Sequence, residues 1–393
     1  MPTREMQRAR RARNAVAAVF ALNGFAFASW VSRIPEARDL LDLSAGRLGT
    51  LLLALSLGAV LALPMTGTLV HRFGATRVVA GAAVVDAVGL AGAGIGAGLV
   101  EHVGLTAVGL FLFGLGSGAW DVAMNVEGAA VERELGRTIM PRFHAAFSLG
   151  TVLGAGVGAA AARFEVTIPV HLVGAALLTG LVPLTVVGAF LPAGAEPDTA
   201  VKPGRAWRAW AEPRTLMIGL MVLALALTEG VANDWLALAL VDGYDAAPWM
   251  GAAGFALFVT AMTAGRLGGT LALDRFGRVP VLWTTMALAA AGVLVVVFGQ
   301  HPVVVAFGIV LWGVGASLGF PIGMSAAADD PEHAAARVSV VSTIGYTAFL
   351  AGPPVLGYLG DQVGVLQALL LVAVLLVPSA LAVPYAREPL RTT

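Results

Sequence analysis

The chain has 393 residues, of which 58% are hydrophobic and 12% are charged, and its formal net charge is zero. A soluble domain usually carries about 25% charged residues, so this chain has too little charge to cover a soluble surface. The zero net charge gives no sign of a nucleic-acid partner, and the absence of cysteine excludes disulfides and thiolate metal sites.

Long apolar segments run through the whole chain. A membrane-spanning helix needs about 20 mostly apolar residues, and twelve segments meet this requirement. We number them spans 1 to 12, at 14–35, 46–70, 77–100, 103–128, 141–163, 168–192, 214–240, 248–272, 279–299, 302–327, 337–359 and 363–386. The pattern predicts an all-α membrane protein with twelve transmembrane helices.

The stretch 193–213 is the one long polar segment between spans, and its prolines and charges are typical of a linker. We therefore predict an N-terminal six-helix bundle over 1–192, a cytoplasmic linker over 193–213 and a C-terminal six-helix bundle over 214–393. Of the 24 Lys and Arg residues, 19 fall in the termini and in the loops on the same side as the termini. The positive-inside rule then places both termini in the cytoplasm of an inner-membrane protein.

The N-terminus also has features of a cleavable signal peptide. Five arginines precede an apolar run, and Ala26-Phe27-Ala28 could mark a cleavage site. However, span 1 continues for several residues past Ala28, which favours an uncleaved first helix.

The two halves of the chain contain matching motifs. Arg72-Phe73-Gly74 follows span 2, and Arg275-Phe276-Gly277 follows span 8, at an offset of 203 residues. Span 4 contains Phe113-Gly114-Leu115-Gly116-Ser117-Gly118, and span 10 contains Trp312-Gly313-Val314-Gly315-Ala316-Ser317. Motifs that recur in the same order at similar offsets indicate a duplicated six-helix unit.

The loop from Gly67 to Arg77 resembles G-x-x-x-D-R-x-G-R-[KR], the signature between helices 2 and 3 of the major facilitator superfamily. His71 stands in the acidic place of this copy, and the second copy keeps the acid as Asp274. The resemblance covers essentially the whole chain. It implies two pseudo-symmetric six-helix bundles that carry a small-molecule solute by alternating access.

Within that superfamily, Gly118 to Asn125 resembles the helix-4 motif G-x-x-E-x-A-x-N of the fucose–proton symporter relatives. The segment from Arg142 to Gly150 resembles helix 5 of a bacterial branch near them. In those symporters the matching helix-4 acid carries the coupled proton, which implies this role for Asp121. They also use an acid on helix 1, whereas Asn23 holds the deep polar place here.

Ionisable groups at membrane depth are costly, so each is a functional candidate. Asp121 lies about 18 Å of helix rise before Arg133, and Glu229 lies about 22 Å after Arg214. Burial disfavours an ionised carboxyl, so we predict that Asp121 and Glu229 couple transport to protons. A structural acid that bonds a neighbouring helix is the alternative for Asp121, and contact with the substrate is the alternative for Glu229. Arg266 is a further deep charge, and it could bind an anionic solute, neutralise an acid or reach the interface.

Polar and aromatic side chains on the same helices could contact a solute. We predict substrate-binding roles for seven residues: Asn23, Phe27, Trp30, Trp120, Asn125, Asn233 and Arg266. Amides and rings suit a sugar-like or heteroaromatic solute, although aromatic residues at helical spacing more often pack against neighbouring helices.

Charged residues in the loops after spans 2 and 8, together with His144 near the cytoplasmic end of span 5, are predicted to act as latches or gates. They are His71, Arg72, His144, Asp274, Arg275 and Arg278. The second-half set can pair with acids at the ends of other helices, such as Asp329, and the first-half copy should form a weaker or pH-sensitive latch.

These patterns predict a secondary transporter, most simply a proton-coupled symporter of a small polar, sugar-like solute. Proton-driven efflux of a metabolite or amphipathic drug is the alternative with the same fold. A membrane enzyme or sensor is a third reading, but no catalytic motif supports it. We expect no cofactor apart from the proton, no metal, no nucleic-acid partner, and a monomer in the lipid bilayer.

Overall fold

The computed structural model describes residues 4–136, 139–192, 208–330 and 333–388, and within these ranges the regular structure is entirely helical. Eleven helices of this part are long and apolar enough to cross a membrane. Spans 1 to 6 are Arg4–Val31, Ala45–Phe73, Ala75–Gly98, Val103–Leu135, Met140–Arg163 and Ile168–Val186, the last followed by a 3-10 turn at Val187–Ala189. The all-helical prediction is confirmed.

The second half follows the same order. Spans 7 to 11 are Pro213–Tyr244, Pro248–Phe276, Arg278–Phe298, Pro302–Ala327 and Ala336–Val363. Span 7 contains a π-helical turn at Ala232–Leu236, and span 10 is divided into Pro302–Ala316 and Gly319–Ala327. The twelfth predicted segment is a shorter apolar helix, Val365–Ala380. It consists of Val365–Ala368 and Leu370–Ala380, with a 3-10 turn at Val383–Ala386.

Span 1 ends earlier than its hydropathy predicts. Its helix stops at Val31, and a separate short helix, Ile34–Leu40, starts with a proline in its first turn. Proline fits the first turn of a helix because no hydrogen bond from its nitrogen is needed there. Arg33 therefore lies between two helices, where its side chain is 1% exposed.

The repeated Arg-Phe-Gly motif forms the same turn in both halves. Span 2 ends at Phe73 and span 3 begins directly after Gly74, which has φ 81°. Span 8 ends at Phe276 and span 9 begins directly after Gly277, which has φ 74°. Glycine adopts positive φ without the steric cost that a Cβ atom brings, so the glycine of each motif lets two long helices meet in a one-residue turn.

The glycines of spans 4 and 10 permit equivalent close helix contacts. A Cβ atom on Gly116 would lie 2.3 Å from the backbone nitrogen of Asp86, and one on Gly315 would lie 2.3 Å from that of Ala289. These distances leave no room for any side chain. Spans 3 and 4 therefore pack against each other in the way that spans 9 and 10 do.

A second pair of contacts follows the same correspondence. A Cβ atom on Gly114 would lie 1.9 Å from the carbonyl oxygen of Leu55, and one on Gly313 would lie 2.5 Å from that of Phe258. Leu55 and Phe258 are separated by 203 residues, the offset of the two Arg-Phe-Gly motifs. The structure thus confirms the internal duplication at the level of helix packing.

The chain divides into two compact units. One holds Met1–Pro197 with Ala246–Ala256, and the other holds Asp198–Asp245 with Leu257–Thr393. In the first unit, a buried apolar cluster joins spans 1, 3, 4 and 5 through residues such as Phe20, Val79, Trp120 and Phe143. The predicted linker lies mostly outside the described residues, because these resume at residue 208.

Candidate functional site

Span 4 carries the deep acid of the first unit. Asp121 and Asn125 are one helical turn apart, and both are partly buried. The Asn125 Nδ2 donates to the backbone oxygen of Asp121 at 2.9 Å and to its Oδ1 at 3.3 Å. Within the described residues, the hydrogen-bond partner of this carboxyl group is a neutral amide and no cation pairs with it. Asp121 therefore has no ion pair that would hold it in the charged form.

Asn23, the polar residue deep in span 1, bonds inside the first unit. Its side chain is 3% exposed, and its Nδ2 donates to the Ser117 Oγ of span 4 at 3.5 Å. Phe27, one turn later, is partly exposed. The amide of span 1 thus links two helices near the glycine-rich segment of span 4.

Two predicted solute contacts lie in the protein interior. Trp30 and Trp120 are 1% and 0% exposed, and Trp120 belongs to the apolar cluster of the first unit. An indole ring removes a large apolar area from water when it is buried, which explains why aromatic residues at helical spacing pack inward. In this conformation neither indole ring lies on a surface that a solute can reach.

His144 also takes part in packing. Its ring lies edge-on to that of Phe20, with 5.3 Å between centroids, and Phe20 stacks on Phe143 at 5.6 Å. These contacts join spans 1 and 5. The gating role of His144 remains a prediction.

The deep charges of the second unit form an ion pair. The Arg266 Nη2 of span 8 lies 3.0 Å from the Oε2 and 3.2 Å from the Oε1 of Glu229 on span 7. The Arg266 Nε also donates to the backbone oxygen of Ser317 on span 10, at 3.3 Å. The two ionic side chains are 29% and 20% exposed. Arg266 therefore connects three spans, and Glu229 is held beside a cation.

Irregular backbone surrounds this ion pair. The π-helical turn Ala232–Leu236 begins three residues after Glu229, and span 10 is interrupted directly after Ala316, next to Ser317. Insertions of π-helix are frequent at functional sites because they change which side chains share a face. Asn233 lies within this turn, four residues after Glu229. The π-helical geometry there departs from the 3.6 residues per turn that puts residues four apart on one face.

A network of charges joins helix ends in the second unit. Asp329, whose side chain is 7% exposed, accepts from Arg278 Nη1 at 2.7 Å and from Arg214 Nη2 at 2.7 Å. Arg278 and Asp329 are a pair that the sequence suggested. The sequence did not predict that Arg214 joins this network. The one feature that could have indicated it is its position at the predicted cytoplasmic end of span 7.

A second charged group lies at the same end. Arg337 Nε donates to the Oε2 of Glu212 at 2.6 Å, and its Nη1 lies 3.3 Å from the Oδ2 of Asp330. Burial acts to raise the pKa of Glu212, but hydrogen bonds from Arg337 and Thr215 outweigh it, so the pKa is lowered from its ordinary value. This carboxylate precedes span 7 and ties it to span 11.

Other predicted latch residues are exposed. His71, Arg72, Asp274 and Arg275 are all at the surface. Each arginine lies over the phenylalanine that follows it, Arg72 at 5.3 Å and Arg275 at 5.2 Å from the ring centroid. Among the described residues, no ion pair involves any of the four. Their role as latches remains a prediction.

Comparison with known proteins identifies the family. A transporter of Sinorhizobium fredii, y4wD, is 34% identical over 88% of this chain and 90% of its own length. An MFS-type transporter of Yersinia pestis is 31% identical over 92% of both chains. The model of the Major Facilitator Superfamily matches residues 249–392. The chain belongs to the major facilitator superfamily.

Solved structures of other transporters share this fold. The nucleoside transporter NupG has a TM-score of 0.77 with 14% identity, over 95% of this chain and 98% of its own. The Escherichia coli fucose–proton symporter FucP, as a point mutant, has a TM-score of 0.60 with 14% identity, over 96% and 98%. At this identity the likeness shows the fold alone. As a member of the superfamily, the protein is a multi-pass membrane transporter of small molecules and not an enzyme.

Proposed function

We propose that the protein is a proton-coupled symporter of a small polar, sugar-like solute. The observation that carries the proposal is the contrast between its two deep carboxyl groups. Asp121 is bonded to a neutral amide, whereas Glu229 is paired with a guanidinium. Among the residues that the structure describes, one acid thus has no cation partner while the other is neutralised by one, as expected if the two respond differently to a proton.

Asp121 is the proposed proton carrier. Its Asn125 partner can donate to the ionised carboxyl or accept from the protonated one, because an amide has both donor and acceptor groups. Both forms of Asp121 therefore keep a partner. A carboxyl group at membrane depth that is stable in two protonation states is what proton coupling requires.

Glu229 is the proposed second coupling residue, and it acts through Arg266. A proton on Glu229 would remove the negative charge that holds the guanidinium, leaving Arg266 with the Ser317 carbonyl. The guanidinium donors would then be available to oxygen atoms of the solute. Phe27, Asn125 and Asn233 are partly exposed and are the proposed solute contacts, since their amides and ring suit hydroxyl-rich solutes. Asn23 is buried and bonded to Ser117, so it is left out of this set.

The test is transport by the purified protein in proteoliposomes that contain a pH-sensitive dye. Single sugars, sugar alcohols and nucleosides are added outside, and proton entry and solute entry are recorded together. We expect one class of solute to enter with protons. The Asp121→Asn protein should still exchange that solute across the membrane but should no longer accumulate it against a gradient.

Two outcomes would overturn the proposal. If the Asp121→Asn protein accumulates the solute as well as the wild type does, Asp121 is not the carrier. If protons enter as the solute leaves, the protein is a proton-driven exporter instead. The Glu134→Gln protein serves as a control, because it makes the matching change of an acid to its amide at an exposed position of the same helix.

A further inference from the structure

A recess with two arginines lies in the first unit, where the beginning of span 1 meets the end of span 6. It has a volume of 590 Å³ and is lined by Gln7, Arg8, Arg11, Gly188, Ala189 and Phe190. None of these residues belongs to the proposed transport site. The recess is therefore a separate feature of the molecule.

The recess is shaped by both helices. Gln7 and Arg11 are four residues apart and Arg8 and Arg11 are three apart, so all three share one face of span 1. They are exposed, whereas Phe190 is 5% exposed and belongs to the apolar cluster of the unit. A Cβ atom on Gly188 would meet nothing within 4 Å. Phe190 is thus a packed residue in the wall of the recess, and the space beside Gly188 is unoccupied by other residues.

The positive charge of the recess is not neutralised within the described structure. Neither Arg8 nor Arg11 forms an ion pair with a carboxylate of the described residues. Glu127 approaches the residue that follows Phe190, but its Oε1 accepts from the Leu191 backbone N–H at 2.7 Å. Two guanidinium groups therefore line one wall without a described acid paired to them.

If Arg8 and Arg11 served only to stabilise the end of span 6, they would form hydrogen bonds to it. Arginines near the end of a helix can stabilise it by donating to its last carbonyl groups. In the part of the chain that the structure describes, no hydrogen bond runs from Arg8 or Arg11 to the carbonyl groups of Gly188, Ala189 or Phe190. The donors of the two arginines are available to a ligand.

We propose that this recess binds the phosphate of an anionic phospholipid headgroup. Guanidinium groups recognise phosphate through charge-assisted, often bidentate hydrogen bonds. A lipid is favoured over soluble phosphate because Leu177, Leu181 and Leu184 are exposed, and their spacing puts them on one face of span 6 in the turns that precede the recess. Acyl chains can lie along this face while the phosphate meets Arg8 and Arg11.

The proposal is tested by native mass spectrometry of the full-length protein in an uncharged detergent, titrated with phosphatidylglycerol or phosphatidylcholine. The double variant Arg8→Gln/Arg11→Gln is expected to bind phosphatidylglycerol about thirtyfold more weakly, since each arginine near an anionic surface contributes about fivefold. The matched control Arg10→Gln/Arg13→Gln removes the same charge from the same helix but does not line the recess. Because Arg10 and Arg13 do not line the recess, this control should bind phosphatidylglycerol nearly as strongly as the wild type.

A second variant tests the recess without removing an arginine. Gly188→Glu places a carboxylate opposite the two guanidinium groups in open space, and it should weaken phosphatidylglycerol binding as strongly as the double variant. The thermal unfolding midpoint of each variant confirms that it is folded. Unchanged binding in Gly188→Glu would contradict the site.

Two further results would overturn the proposal. Equal losses in the two double variants would show that net charge alone attracts the lipid. Displacement of phosphatidylglycerol by inorganic phosphate at equal concentration would show that the recess is a site for the soluble anion.

Discussion

The two Arg-Phe-Gly turns have the same backbone but different surroundings. In both, glycine at positive φ joins two long helices. In the second unit, Arg278 follows the turn and shares the buried Asp329 with Arg214. In the first unit, Arg72 lies over Phe73, and no ion pair of Arg72 is found among the described residues.

The backbone turn and the ion pairs around it are therefore independent properties of the motif. The glycine determines the turn, because a residue with a Cβ atom would be strained there. The ion pairs depend on acids from distant parts of the chain, and these acids differ between the halves. A repeated motif therefore guarantees the turn but not the charge network around it.

The largest effect is expected from removal of the shared acid. Asp329→Asn leaves Arg214 and Arg278 without their carboxylate, and loss of one partner of a buried pair is strongly destabilising. Because Arg214 is 37% exposed, part of this cost is screened, and we expect a loss of about 2–4 kcal/mol. The unfolding midpoint in detergent measures it.

The first-half counterpart provides the control for that experiment. Arg72→Gln removes an exposed guanidinium that has no ion pair among the described residues, and it should change stability by less than about 0.5 kcal/mol. Equal losses in Asp329→Asn and Arg72→Gln would show that the two turns are stabilised alike.

A second contrast lies where spans 3 and 4 and spans 9 and 10 pack at matching glycines. Asp86 and Ala289 occupy corresponding places against Gly116 and Gly315. Asp86 is 0% exposed, and neither carboxyl oxygen has a hydrogen-bond partner among the described residues. Because Ala289 fills the corresponding position in the second half, this type of helix packing does not require the carboxyl group of Asp86.

Reciprocal substitutions sharpen this contrast. Ala289→Asp introduces an unpartnered acid and should destabilise the protein by about 2.5–3.5 kcal/mol, the cost of Asp at the centre of a membrane helix. Asp86→Ala should be tolerated or stabilising, by up to about 3 kcal/mol, because it copies the second half. Thermal unfolding midpoints report both. A strong loss in Asp86→Ala would reveal a structural partner for this acid.

The smallest effect concerns acid stability of the second unit. The pKa of Glu212 is lowered from 4.5, so its pairing with Arg337 stabilises the protein above about pH 4.5. That stabilisation should disappear as pH falls below the lowered pKa. The Glu212→Gln protein should therefore be less stable than the wild type at pH 7, by less than about 1 kcal/mol. This difference should shrink as the pH falls below 4.5 and disappear below the lowered pKa.

A mutant cycle identifies the partner in that experiment. Arg337→Gln should lose more stability than Glu212→Gln, because it also removes the contact with Asp330. The double variant should lose little more than Arg337→Gln alone. Additive losses at pH 7 would mean that the two residues do not act as a pair.

Hydropathy was sufficient to locate the spans, because lipid demands long apolar helices with internally satisfied backbone groups. Hydropathy also placed Arg33 inside span 1, and this prediction was wrong because the helix ends at Val31. Arg33 is instead held between helices by Glu36 at 2.7 Å and by the Val166 carbonyl oxygen at 2.6 Å. Apolar content does not distinguish a lipid-buried residue from one that other helices bury.

The sequence suggested candidate residues but not their pairings. The cost of charge at membrane depth made Asp121, Glu229 and Arg266 candidates, and the resemblance to the fucose–proton symporter relatives implied the role of Asp121. The sequence did not reveal that Arg266 pairs with Glu229, or that Trp30 and Trp120 are buried in the interior.

The sequence by itself determined the helices, the duplication and the glycine turns, because these depend on local composition and on backbone sterics. The tertiary structure decided which charges meet, where span 7 takes a π-helical turn and which half keeps an unpartnered acid. Such features depend on side chains brought together from distant helices, and their distances follow only from how those helices pack.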